Sequence, residues 1–275
     1  MTDTEHQERR RGQLYGRRKG PRLSAYQQDL RETLLPQLAL RLQSGSDPRV
    51  YFSPPPCGEV EARSVSGGGP LAPSGTAPHP KNRVAPLCDF STSPQGGGDF
   101  TVADVWLEVG YGGGEHLHWQ AEQHPDIGLL GAEPYESGTA KLLSRLAEHP
   151  LPNIRLYEND ARDIIDALPD ASIGRFFLLF PDPWPKTRHH KRRFLQMEML
   201  DRLARILKPG AELRFASDDA GYLAYALERL AAHPAFRWTA TGPSDWHTRP
   251  ADWPPTRYEA KELHGPPAFL RFVRR

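Results

Sequence analysis

From residue 100 onward, short apolar runs alternate with segments whose apolar residues recur at helical spacing. The runs 102–109, 127–132, 154–157, 173–180 and 212–216 predict strands, and 236–241 and 269–273 predict two more. Between them, 115–123, 137–148, 161–168, 193–207 and 220–231 carry the period of helices. A strand–helix–strand succession predicts an α/β fold with a largely parallel sheet. In such folds ligands gather at the carboxyl ends of the strands.

Upstream, 24–43 predicts an amphipathic helix. Ser24 stands as its N-cap, Leu30, Leu34, Leu38 and Leu42 share one face, and Pro36 kinks or ends it. The pattern then lapses. Of the 47 residues 53–99, nine are Pro, eight Gly and six Ser, too little apolar surface to offset the entropy of ordering. That stretch is expected to be a disordered insertion, so the chain divides into a basic helical arm (1–52), the insertion (53–99) and one α/β domain (100–275).

Composition changes this picture little. The 38% hydrophobic and 25% charged content of the 275 residues is enough for one sizeable core. No apolar run is long enough for a membrane span, and the N-terminus is polar and arginine-rich where a signal peptide needs an apolar stretch, so a cytoplasmic protein is expected. Cys57 and Cys88 have neither metal-site spacing nor a second pair. His116 and His118 stand two apart on a predicted helix and do not share a face, so no metal site is expected.

Charge placement says more than the net +1. One basic cluster comprises Arg9, Arg10, Arg11, Arg17, Arg18, Lys19 and Arg22. The other is Lys186, Arg188, Lys191, Arg192 and Arg193, with His189 and His190 inside it. Either alone is commonly a solvated face. Two on a near-neutral chain point to a polyanion such as nucleic acid.

Candidate chemistry lies at the strand ends. The first strand runs into Glu108-Val109-Gly110-Tyr111-Gly112-Gly113-Gly114, where glycines permit a tight turn and close backbone approach. Glu115 stands where a dinucleotide fingerprint requires glycine, and the acid before the glycines suits a cationic ligand. The second strand ends at Glu133, placed to accept from both hydroxyls of a ribose. After the third comes Asp160, which either accepts from an adenine amine or caps the next helix. The fourth runs into Pro181-Asp182-Pro183-Trp184-Pro185-Lys186. There prolines restrict the backbone around a carboxylate, an indole offers a stacking surface and cations follow for phosphates.

The segments PDPWPKTRHHKRRF, LEVGYGGGEHL, GAEP, ENDA, ASDD and PTRYEAK together resemble the signature set of the bacterial tRNA (guanine-N7-)-methyltransferases, over essentially 104 to 275. The resemblance implies a class I methyltransferase (Rossmann-like) sheet with helices on both faces. It also implies S-adenosylmethionine as cofactor and methylation of guanosine 46 in the tRNA variable loop, with no obligate protein partner. Carried over by position, it assigns Glu108, Glu133 and Asp160 to the cofactor. Asp182 falls between cofactor and target base as the catalytic residue, and Lys186, Asp218, Thr256, Arg257, Tyr258 and Glu259 fall on the tRNA guanosine.

Three rival readings use the same residues. An exocyclic-amine methyltransferase wants a second proline where Trp184 stands. A non-catalytic tRNA-binding protein would use the basic clusters and keep the carboxylates as structure. A nicotinamide enzyme would share the pocket, but Glu115 opposes it.

Overall fold

The computed structural model describes residues 18–53, 101–257, 259–261 and 265–275. The insertion beyond Ser53 and the arginines 9–17 lie outside the described residues.

Seven strands form one sheet: β1 (Asp104–Val109), β2 (Ile127–Ala132), β3 (Ile154–Tyr157), β4 (Ile173–Leu179), β5 (Leu207–Ser217), β6 (Phe236–Trp238) and β7 (Ala268–Arg274). Their order is β3-β2-β1-β4-β5-β7-β6. The first five run parallel, while β7 is antiparallel to both β5 and β6. The chain starts at the centre of the sheet, winds outward to β3 and returns to β4. The crevice between β1 and β4 is therefore the topological switch point, where such sheets bind ligands. This is the class I methyltransferase architecture that the resemblance implied.

Successive strand residues point to opposite faces, and the two apolar layers follow that rule. Val105, Leu107, Val109, Phe176, Leu178, Leu213 and Phe215 face one core, covered by α5 (Ala161–Ala167), α6 (Met197–Ile206) and α7 (Ala220–Ala232). Trp106, Phe177 and Leu179 face the other. It is covered by α3 (Glu115–Gln123), α4 (Glu136–Glu148) and the N-terminal helices α1 (Ala25–Thr33) and α2 (Leu35–Leu38). Glu108 and Arg214 alternate with the first set, which places both polar groups on the α3 face.

The N-terminal helix is shorter than its pattern predicts. Ser24 caps α1 with a full capping box, and the helix ends at Thr33 because Pro36 restarts it as the four-residue α2. Leu30, Leu34 and Leu38 are buried against the α3–α4 layer, whereas Leu42 packs against the opposite core. Ala39 bridges to Leu156, so the arm also extends the sheet edge at β3. Helix α6 begins at Met197, not at 193, because 187–192 forms a 3-10 turn held by other contacts. Strand β5 starts five residues earlier than predicted. Leu207 pairs with Ile173 before a register shift resumes pairing at Glu212, so the Pro209-Gly210 break interrupts the ladder without ending the strand. Among the described residues no helix is long and apolar enough to cross a membrane.

Candidate active site

Glu108, the penultimate residue of β1, is 2% exposed, and its Oε2 lies 2.7 Å from Nδ1 of the buried His116 on α3. The glycine turn that follows uses left-handed backbone at Gly110, Gly112 and Gly114. Left-handed Gly112 donates its N–H to Glu133 Oε2 at 2.8 Å. A Cβ on Gly110 would meet nothing within 4 Å, so this side of the turn faces open space. Tyr111, pointing the other way, shares a 2.8 Å hydrogen bond with Thr139 and fixes the turn to α4.

Glu133 follows β2 and also accepts from the Tyr135 N–H at 2.9 Å. Burial pushes its carboxyl above the usual range. The two backbone N–H bonds oppose that shift, and the charges of Asp182 and Glu108 add to it. Glu108 and Asp182, at the tips of β1 and β4, thus both lie within electrostatic reach of Glu133 at the tip of β2. Three acids around an open glycine turn suit a cationic ligand bearing hydroxyl donors, which is the chemistry of S-adenosylmethionine.

Asp160 does cap α5, accepting from the Arg162 N–H at 3.0 Å, and it is ion-paired with the Arg162 guanidinium. Its neighbour Glu158 takes a bidentate contact from Arg31 of α1, and Asn159 accepts from Arg18 at 3.2 Å. The described end of the basic arm therefore lies along the β2 and β3 tips, where the Arg18 carbonyl also accepts from the Glu136 N–H.

Asp182 is exposed in the loop after β4, bracketed by two aromatic residues in the left-handed region, Phe180 at φ 50° and Trp184 at φ 45°. Each such backbone costs roughly 1–2 kcal/mol outside glycine, and strain of this kind gathers at functional loops. Prolines indicated a restricted loop, but no sequence pattern marks an aromatic residue for positive φ. The Phe180 N–H still donates to Ala216 O at 2.8 Å, so the loop leaves the sheet only after that bond.

The basic run is not uniformly solvent-facing. Lys186, Arg188 and Lys191 are exposed, as the phosphate reading requires. Arg193 is not: it is 3% exposed, donates to Pro183 O at 2.8 Å and Gly221 O at 3.1 Å, and lies over the rings of Tyr222 and Tyr225. Its place among the phosphate-holding cations is corrected accordingly, because a buried guanidinium needs fixed partners. Tyr222 and Tyr225 likewise do more than fill a helix face, accepting from Phe194 N–H and donating to Gln196 respectively. Arg192 lies over the Trp184 ring, with its guanidinium carbon 4.8 Å from the centroid.

Asp218 follows β5, beside the β4 tip. Thr256 Oγ1 accepts from the Glu259 N–H, Glu259 lies 3.7 Å from Arg249, and Arg257 is exposed. Tyr258 lies outside the described residues. Upstream, Asp252 is bonded to α3 and β5; downstream, a Cβ on Gly265 would lie 3.5 Å from Asp218 O. Sequence reasoning weighed His116 only as a metal ligand and did not single out Gln120. Their signal was faint: the helix is rich in polar residues, and its sequence alone does not show that these two are buried against the sheet.

A family model described as a putative methyltransferase matches residues 103–266. The chain is 46% identical to a tRNA (guanine-N(7)-)-methyltransferase of Rhodospirillum rubrum, over 95% of this chain and 88% of that one. The chain belongs to the tRNA (guanine-N(7)-)-methyltransferase family. The relative of that name in Brucella abortus is 39% identical over the full length of both chains, and the one in Paramagnetospirillum magneticum is 50% identical over 72% of this chain and 80% of its own. Full-length alignment extends this methyltransferase family's likeness beyond the catalytic sheet to the N-terminal arm.

Proposed function

We propose that this chain transfers the methyl group of S-adenosylmethionine to N7 of guanosine 46 in the variable loop of cytoplasmic tRNA, with no obligate protein partner. One observation carries the reading: Glu108, Glu133 and Asp182 gather beside an open glycine turn, at the tip from which the Pro-Asp-Pro-Trp loop and its exposed cations project. Residues 100–275 carry the chemistry, and the basic arm within 1–52 adds phosphate contacts.

The cofactor, when bound, supplies an electrophilic methyl on a sulfonium. In this reading Glu108 holds its cationic methionyl end, Glu133 accepts from ribose hydroxyls and Asp160 accepts from the adenine amine, with its capping bond retained on the other lone pairs. Guanine N7 already has an in-plane lone pair, so no side chain must remove a proton. Lys186, Asp218, Thr256, Arg257, Tyr258 and Glu259 then serve to place the base. Good placement alone supplies about 7–11 kcal/mol where alignment is near ideal. Positive charge develops on the purine as the methyl arrives, and the Asp182 carboxylate favours that development.

The test is direct. Purified protein, S-adenosylmethionine and an unmodified tRNA transcript should yield 7-methylguanosine on nucleoside analysis. Methylation of an exocyclic amine, or none, would overturn the reading.

A further inference from the structure

A chain of polar contacts, Glu108–His116–Gln120–Asp252–Arg214, lies over the α3 face of the sheet. Glu108, Phe177 and Arg214 are Cα partners across β1, β4 and β5, so their side chains stand in one row. His116 covers the middle of that row, its ring 4.7 Å from that of Phe177. Its Nδ1 faces Glu108, and its Nε2 lies 3.1 Å from Gln120 Nε2. Gln120 Nε2 also donates to the Asp252 carbonyl at 2.8 Å, and the Asp252 carboxylate receives Arg214 at 2.6 Å. His116 and Gln120 are one helical turn apart, so both reach the sheet from the same face of α3.

These contacts admit one pattern of protons. The Asp252 carbonyl can only accept, which turns the NH2 end of the Gln120 amide toward it. The second hydrogen of that NH2 then points at His116 Nε2, which must accept and so carries no proton. The proton of a neutral imidazole therefore sits on Nδ1 and is donated to Glu108. Each link sets the next. The carbonyl that starts the chain belongs to the segment leading to Thr256, Arg257 and Glu259.

We propose that His116 and Gln120 are positioning residues that couple seating of this C-terminal segment on its guanosine to the orientation of Glu108. Binding of tRNA and binding of the cofactor then strengthen each other by the same factor, as linkage requires. The inference rests on the proposed roles of Glu108 and of the 256–259 run. Neither His116 nor Gln120 needs to touch either ligand.

The test uses the full chain, with S-adenosylhomocysteine as a probe that cannot turn over. Its Kd is measured by calorimetry with and without saturating unmodified tRNA transcript. In the parent, tRNA should tighten the probe by at least about fivefold, the lower end of ordinary coupling. In Gln120→Met, which keeps side-chain length but removes both N–H bonds, that ratio should fall to near one while the Kd without tRNA changes far less. Gln120→Glu, which keeps the shape and reverses the hydrogen-bond sense, should lose the ratio too, and it decides the matter should the Met variant fail to fold. A merely structural Gln120 would lower the melting temperature and leave the ratio intact, which would overturn the proposal. A parent that binds both partners with no coupling would also overturn it. A parent that binds neither would overturn the functional reading as well.

Discussion

Arg193 donates from Nε to the carbonyl of Pro183 at 2.8 Å, so the last residue of the basic run holds the loop that presents Asp182. Arg193→Ala should accordingly act through stability. It leaves the Pro183 and Gly221 carbonyls short of charged donors and empties the space over Tyr222 and Tyr225, costing about 2–4 kcal/mol by denaturant melts. Neutralising exposed Arg188 and Lys191 together should leave stability unchanged. It should lower the slope of log affinity for tRNA against log salt by roughly one to two units. Equal stability loss in both variants would contradict the division.

Glu133 should give the unliganded protein a distinctive pH response. Its folded carboxyl is raised above the usual range, with burial the largest cause. The stability it contributes is therefore fully present below its unfolded value and is lost as pH rises through its folded value. The parent should gain melting temperature relative to Glu133→Gln as pH falls from about 7 to about 4, whatever the offset between them. Saturating cofactor, a cation, should flatten the difference by favouring the ionised form. A parent that loses ground to the variant on acidification would contradict the raised value.

Trp184 tests the strain in the loop. Ala at this position keeps a Cβ and so keeps the cost of φ 45°, whereas Gly relieves it. After subtracting the extra chain entropy of glycine, Trp184→Gly should be more stable than Trp184→Ala by about 0.5–1 kcal/mol. It should also transfer methyl more slowly, because a relaxed loop holds Asp182 less firmly. A Gly variant less stable than the Ala variant would remove strain from the account.

Much of this was legible in the sequence because strand periodicity and turn residues are local signals. Four strand ends carry their acids, Glu108, Glu133, Asp160 and Asp182, where the motifs place them, and β2, β3 and α3 match their predicted limits. What was not legible depends on contacts between distant residues. Nothing near Arg193 in the chain shows that Pro183 and Gly221 surround it, and nothing near His116 shows Glu108 opposite Phe177. The positive φ of Phe180 arises where the strand must turn sharply while keeping its last ladder bond to Ala216, and that of Trp184 lies farther along the same loop. Glycine usually marks such a place, and here it does not.

Asp182→Asn keeps shape and removes charge. If the carboxylate favours the developing purinium, single-turnover methylation should fall by on the order of a hundredfold, with tRNA affinity nearly unchanged. The rate should gain no new dependence near neutral pH, since N7 has no proton to release. Parent-like rates with saturating cofactor would remove Asp182 from catalysis, and a collapse of melting temperature would make it structural.

The proposed methylation at guanine N7 of nucleotide 46 is decided by two tRNA transcripts that differ in one atom position. One carries guanosine at nucleotide 46 and the other 7-deazaguanosine, in which a C–H replaces N7 while the pairing edge is unchanged. Labelled methyl should pass from S-adenosylmethionine to the first and not to the second, with both transcripts binding equally well. Equal labelling of the two would show that N7 of nucleotide 46 is not the methyl acceptor.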